Sequence, residues 1–131
     1  MNRKERRFSQ RYDAAPLKVE VRIKKLFWGW HPPHQAIGVD IAHGGIAILS
    51  PLKIRTGKRL LLSLGNQTHR LNSVPAVILR QTARDGDFVY GVRFELDPLG
   101  PKARASAEVV LQRLLDTLQH TEWRSPMATP A

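Results

Sequence analysis

Leu17-Lys18-Val19-Glu20-Val21-Arg22-Ile23-Lys24 alternates apolar and charged residues without a break. Period two places Leu17, Val19, Val21 and Ile23 on one face and Lys18, Glu20, Arg22 and Lys24 on the other. That is the pattern of a strand with one face in a core and one in water. Residues 36–41 read as a second strand, 45–49 as its return, and 58–64 as a further strand after a Thr56-Gly57 turn. Residues 68–71 and 76–82 read as two strand pieces around Ser73-Val74-Pro75. A proline there implies a bulge or an edge position. Arg84-Asp85-Gly86-Asp87 is a hairpin turn, and 88–94 is the last strand. Ala42-His43-Gly44-Gly45 is a turn whose two glycines can take positive φ. Short strands at regular spacing with Gly-rich turns favour a barrel or a sandwich.

The period then changes. Ala107, Val110, Leu111, Leu114, Leu115 and Leu118 form a helical stripe within residues 103–120. Asp97 or Ser106 can cap this helix, with Pro98 or Pro101 in the first turn. Its apolar face is expected to seal one end of the β structure. Residues 121–131, with Ser125-Pro126 and Thr129-Pro130, read as a disordered tail. Residues 1–16 read as a flexible basic arm with too little apolar surface to fold alone.

The chain has 131 residues, a 42% hydrophobic share and a formal charge of +10, from 21 Lys and Arg against 11 Asp and Glu. This suits one domain with extensions. Fourteen of the cations are Arg, a bias that fits partners presenting phosphates or bases. There is no cysteine, which excludes disulfides, thiolate metal sites and cysteine nucleophiles. The start is charged and lacks an apolar h-region, and no apolar run approaches the ~20 residues that span a bilayer. A cytoplasmic location is the expectation.

Phe27-Trp28-Gly29-Trp30-His31-Pro32-Pro33-His34 is a loop or hairpin tip. Its rings either fold back to cap the core or offer an aromatic contact surface, with Trp28 and Trp30 meeting a partner. His31 and His34 lack a nearby Cys or carboxylate, so no metal site and no cofactor is expected. No nucleophile elbow, zinc-binding helix motif or phosphate-loop lysine is present, and the carboxylates are scattered. A binding module is expected, not an enzyme.

Two elements remain. Arg3-Lys4-Glu5-Arg6-Arg7-Phe8-Ser9-Gln10-Arg11 contains Arg7-x-x-x-Arg11 preceded by Arg6, and a strand turn carries Asp40-x-Ala42-His43-Gly44-Gly45. Guanidinium is a planar fork that fits phosphate oxygens and guanine edges. Asp40 can accept from a guanine N1 and N2 pair or orient an arginine. Gly44 and Gly45 would let backbone approach a ligand, with N–H groups facing a phosphate.

Arg-x-x-x-Arg followed about thirty residues later by (Asp/Asn)-x-Ser-x-x-Gly resembles the PilZ domain pattern. The resemblance covers roughly residues 5–118 and includes Gly91-Val92-Arg93-Phe94 and the C-terminal helix. It implies an all-β fold with an appended helix: a six-stranded antiparallel β-barrel over residues 17–96 and a helix over 97–120. It also implies a receptor for cyclic di-GMP, a dinucleotide wrapped by the arginine arm against the barrel. Arg7 and Arg11 would take the arginine roles, Asp40 and Gly45 the second-motif roles, and Arg6 would meet a second, stacked dinucleotide. The sequence departs from the pattern at Ala42, where the family has serine. His43 beside it could donate in its place. A lost neutral hydrogen bond costs on the order of 0.5–1.5 kcal/mol, about tenfold in affinity. Two other readings stand beside this one. A general nucleic-acid-binding barrel would use the charge, including Lys24, Lys25, Arg55, Lys58 and Arg59. A nucleotide-independent interaction module with a degenerate site would fit Ala42 and the Trp-rich loop.

Overall fold

The computed structural model describes residues 10–128, with side chains as far as Gln119. The elements are β1 (Tyr12–Asp13), β2 (Lys18–Ile23), β3 (His34–Ile41), β4 (Gly45–Ser50), β5 (Arg59–Gly65), β6 (Arg70–Arg84) and β7 (Asp87–Phe94). A 3₁₀ turn (Asp97–Leu99) and α1 (Pro101–Ala128) follow. The strands pair in the order β3-β2-β5-β6-β7-β4, and β4 pairs back onto β3. Six strands therefore close into an antiparallel barrel, the expected fold, with no open edge among them. The two-residue β1 lies on β3 beyond the reach of β2, with Tyr12 opposite Ile41 and Asp13 opposite Asp40.

The alternation in β2 works as the sequence implies. Val19 and Val21 are fully buried and pair with Leu64 and Leu62 of β5, which are buried as well. Ile46, Ile48, Leu60, Ile78 and Tyr90 fill the rest of the interior. Residues 70–71 and 76–82, read as parts of two pieces, belong to the single 15-residue strand β6, which starts at Arg70 and leaves Thr68 and His69 in the preceding turn. Pro75 sits opposite Leu61 and next to a register shift at Leu62/Leu64. Ser73 has a φ of 57°, and its N–H is taken by Ser63 Oγ at 3.0 Å. The break expected at proline is thus a bulge inside one strand.

The helical stripe is the buried face of α1: Ala107, Leu111, Leu114, Leu115 and Leu118 are buried and Val110 is packed beside them. The helix closes the barrel end near β1 and the start of β6. Its start differs from expectation. Asp97 does not cap it but lies in the 3₁₀ turn, with its carboxylate paired to Arg104. The first helical bond runs from Arg104 N–H to the Gly100 carbonyl at 2.9 Å. The helix also continues through residues 121–128, assigned above to the tail; neither glycine nor proline interrupts residues 102–125. Among the described residues no helix is long and apolar enough to cross a membrane.

At the opposite end, a polar network holds the loop of residues 51–58. Tyr90 is fully buried. Its hydroxyl donates to the Leu52 carbonyl at 2.5 Å and accepts from Ile54 N–H at 2.7 Å. Gln81 Nε2 donates to the Ile54 carbonyl at 3.0 Å. Ser50, buried too, accepts from Leu52 N–H and lies 3.2 Å from His34 Nε2. No described buried side-chain polar atom lacks a partner, as expected where an unmade bond costs more than a made one gains.

Two outcomes follow from this network. Tyr90→Phe keeps the ring but strands a buried N–H and a carbonyl, which costs about 1–3 kcal/mol; urea unfolding should show a lower midpoint with an unchanged slope. Burial lowers the pKa of His34 by disfavouring its imidazolium. The unfolded chain takes up that proton near pH ~6.5, the folded chain only lower, so the stabilisation is complete above ~6.5 and is lost as pH falls through the folded value. The unfolding free energy should therefore drop as the pH falls below about 6.5, and His34→Gln should drop less.

Candidate ligand-binding site

Strand pairing sets the geometry of the arm. β1 runs antiparallel along the C-terminal half of β3, so Arg11 emerges beside Asp40. Arg11 Nε donates to Asp40 Oδ1 at 2.6 Å, and its terminal nitrogen lies 2.5 Å from the same oxygen. Both side chains remain partly open to solvent, at 48% and 37%, so the pair is accessible to a ligand.

A bulge aims Asp40. The β3–β4 register shifts between Gly38 and Asp40, leaving Val39 as the extra residue. Simple alternation from buried Ala36 would put position 40 inside and 41 outside. The bulge reverses this, so Asp40 faces outward and Ile41 is fully buried.

Residues 12–16 are docked, not a free part of the 1–16 arm. Ala14 is fully buried, and its N–H donates to the Val39 carbonyl at 3.2 Å. Asp13 Oδ1 accepts from Ala15 N–H at 2.9 Å, an Asx turn that bends the chain towards β2. Gly38 makes this possible: a Cβ there would lie 2.5 Å from the Ala14 carbonyl oxygen and 2.9 Å from the Ala14 Cβ. The barrel carries a notch at Gly38, and the arm's base sits in it. Arg6 and Arg7 lie outside the described residues.

The turn residues separate from this pair. Neither Gly44 nor Gly45 has a positive φ. A Cβ on Gly45 would meet the Val92 carbonyl oxygen at 2.1 Å, because Gly45 pairs with Arg93 where β4 meets β7. Its need for glycine is thus a matter of strand packing. The Gly44 and Gly45 carbonyls accept from Phe94 and Ala42 N–H groups, both at 2.9 Å. Ala42 is buried. His43 is exposed and lines clefts with Arg93, Leu96 and α1 residues, not with Arg11. The structure therefore joins Arg11 with Asp40 and sets His43 and Gly44 apart from them. No group of three His, Asp or Glu among the described residues could hold a metal.

Pattern reading missed two features beside the pair. Ile37 is 60% exposed on the outer face of β3, an apolar surface one pleat from the notch. A shallow cleft between the arm's base and the β6–β7 hairpin is lined by Asp13, Val39, Leu49 and Arg84. The period of β3 places Ile37 outside once Ala36 is put inside; Arg84 gives no such signal, since it sits in an ordinary hairpin turn.

The sequence profile described as the PilZ domain matches residues 2–112. A search of curated proteins returned no match. Among solved structures, the PilZ domain of YcgR from Escherichia coli with c-di-GMP superposes with a TM-score of 0.67 at 19% identity, covering 95% of this chain and 98% of that one. YcgR from the same organism in complex with c-di-GMP gives 0.60 at 16% identity, over 91% of this chain and 50% of that one. The Bacillus subtilis inhibitor of motility MotI/DgrA gives 0.60 at 19% identity, over 92% and 52%. This chain spans about half the length of the latter two. At these identities the superpositions speak for the fold.

Gly45→Ala should destabilise by about 1–3 kcal/mol through forced separation of β4 and β7. Gly44→Ala, with nothing within 4 Å of the added carbon, should stay within about 0.5 kcal/mol of the parent. Thermal unfolding of the two variants side by side tests the division of roles.

Proposed function

The chain belongs to the PilZ domain family, and from that premise we propose that it is a cyclic di-GMP receptor that clamps the dinucleotide between its arginine arm and the barrel. The observation that carries this reading is the Arg11–Asp40 pair. It holds the last arginine of Arg-x-x-x-Arg against the strand that bears the second motif. Arg7 lies four residues upstream, within about 14 Å along an extended chain. Arg6 and Arg7 can therefore reach a ligand seated over Asp40. Two similar folds were solved with this dinucleotide bound.

In this reading Arg11 offers its guanidinium to a phosphate or a guanine edge, and Asp40 fixes the plane of that fork. Arg7 closes from the arm, and Arg6 meets a second, stacked dinucleotide. Ile37 and Val39 supply apolar surface beside the bases. The bound dinucleotide and the arm around it make a new surface on the barrel, and that surface is what a partner protein reads. Ala42 supplies no hydroxyl, so the affinity rests on the arginines. A nucleotide-independent adaptor is the reading that Ala42 favours instead.

Isothermal titration with cyclic di-GMP decides between them. Heat of binding at micromolar concentrations is expected, with loss of about 1.5–3 kcal/mol for Arg7→Ala or Arg11→Ala, the range for hydrogen bonds to charged groups. Neither variant should change the melting temperature of the free chain by more than a few degrees. Ala42→Ser should bind up to about tenfold tighter. No heat from the parent chain, or heat unaltered by both arginine variants, removes the receptor reading.

A further inference from the structure

The loop joining β2 to β3 exposes Leu26, Phe27 and Trp28 at 77%, 85% and 82%. These are three consecutive large apolar side chains in water, while the other described aromatic residues are buried or half-buried. The rings do not fold back onto the core. The hairpin is held open by Lys25 N–H to the Gly29 carbonyl at 3.0 Å and His31 N–H to the Ile23 carbonyl at 2.8 Å. Gly29 has a φ of 84°, which turns the chain tightly below the tip. Trp30 does not share the exposure: its half-buried ring lies under Lys24 Nζ, 5.6 Å from the centroid. Of the two tryptophans considered together from the sequence, only Trp28 stands free.

The charge around the tip is one-signed. Residues 24–34 and 51–59 meet at this end of the barrel, where Pro32 and Pro33 face Lys53 and Arg55 across a cleft. The two segments contain Lys24, Lys25, Lys53, Arg55, Lys58 and Arg59 and no Asp or Glu; of these, Arg59 turns away from the tip into a separate cleft with Glu95 and Asp97. None of the six is in a salt bridge with a described carboxylate. Leu52, 43% exposed, adds apolar surface among them.

We propose that this tip is an anchor for an anionic lipid surface. Leu26, Phe27 and Trp28 enter the layer between headgroups and acyl chains, and the surrounding cations meet the lipid phosphates. The tip is a projection with an apolar point and a basic collar, which matches a planar boundary whose outer layer is anionic and whose inner layer is apolar. A protein partner would instead have to offer a pocket for three bulky side chains ringed by carboxylates. The proposal is independent of the dinucleotide reading. The tip extends from the His34 end of β3, and Asp40 lies six residues further along, about 20 Å at a strand rise of about 3.3 Å per residue. Both sites can be occupied together.

The test uses the full chain carrying Trp30→Phe and Trp123→Phe, which leaves Trp28 as sole reporter. Vesicles of phosphatidylcholine with phosphatidylglycerol should shift its emission to the blue, and brominated acyl chains should quench it. Phe27→Ser in the otherwise unchanged chain removes an exposed ring and leaves the barrel intact. Its cosedimentation with the same vesicles at physiological salt should fall at least about tenfold. Vesicles of phosphatidylcholine alone should bind far less. A Trp28 that stays wet and unquenched, equal cosedimentation of Phe27→Ser and parent, or equal binding to neutral vesicles would each overturn the proposal.

Discussion

Closure of the sheet is the constraint on which the rest depends. β4 has to hydrogen-bond β3 on one side and β7 on the other. At the β7 side the backbones come so close that position 45 has no space for a Cβ beside the Val92 carbonyl. A closed barrel leaves no edge to aggregate and gives each strand two partners. It also fixes β3 rigidly, and β3 is the wall to which the arm attaches. A glycine read from the sequence as a place for a phosphate is thus one of the residues that make the wall possible. Both roles concern absence of a Cβ; geometry alone separates a backbone that approaches a ligand from one that approaches another strand.

The arm is tied to that wall by a second close contact. Ala14 occupies the notch over Gly38, and the bulge at Val39 supplies the carbonyl that receives Ala14 N–H. The same bulge turns Asp40 outward. One irregularity therefore anchors the chain entering β2 and presents the carboxylate that meets Arg11. Bulges next to functional residues re-aim side chains in this way. Tyr12, packed against the core cluster, keeps the entry point from sliding along β3.

Much of this was legible in the sequence, for identifiable reasons. The alternation in residues 17–24 and the stripe from Ala107 to Leu118 are periodic signals of burial, and both elements formed where those signals lie. Arg84-Asp85-Gly86-Asp87 demanded positive φ at its centre, and Asp85 and Gly86 have it at 49° and 87°. The bulge at Val39 was not legible, because an inserted residue leaves residues 36–41 looking like an ordinary apolar strand. Nor was the continuity of β6, since a proline that interrupts one ladder bond resembles a proline that ends a strand. The Tyr90 network escaped for a third reason. It joins residues 36 and 38 positions apart, and no local pattern encodes that. In the candidate site, the sequence allowed Asp40 to orient an arginine but did not say which; the β1–β3 register selects Arg11. The turning of His43 towards β7 and α1 depended on tertiary packing.

The strength of the Arg11–Asp40 pair bears on how the proposed clamp would work. Both side chains are more than a third exposed, so solvent screens the attraction and the pair contributes about 0–1 kcal/mol at most. That is too little to lock the arm. It is enough to bias the Arg11 rotamer and to keep a planar fork facing the outer surface of β3. A ligand phosphate can then replace water around the guanidinium without first breaking a buried bond, and Asp40 keeps a second acceptor oxygen for a base edge or for the same arginine. Anchorage comes from elsewhere, from the buried Ala14 and the β1–β3 pairing. The division leaves the base of the arm fixed and the Arg11 guanidinium adjustable, which is the arrangement a hinged clamp requires: a fixed pivot beside a charge that can rearrange at low cost.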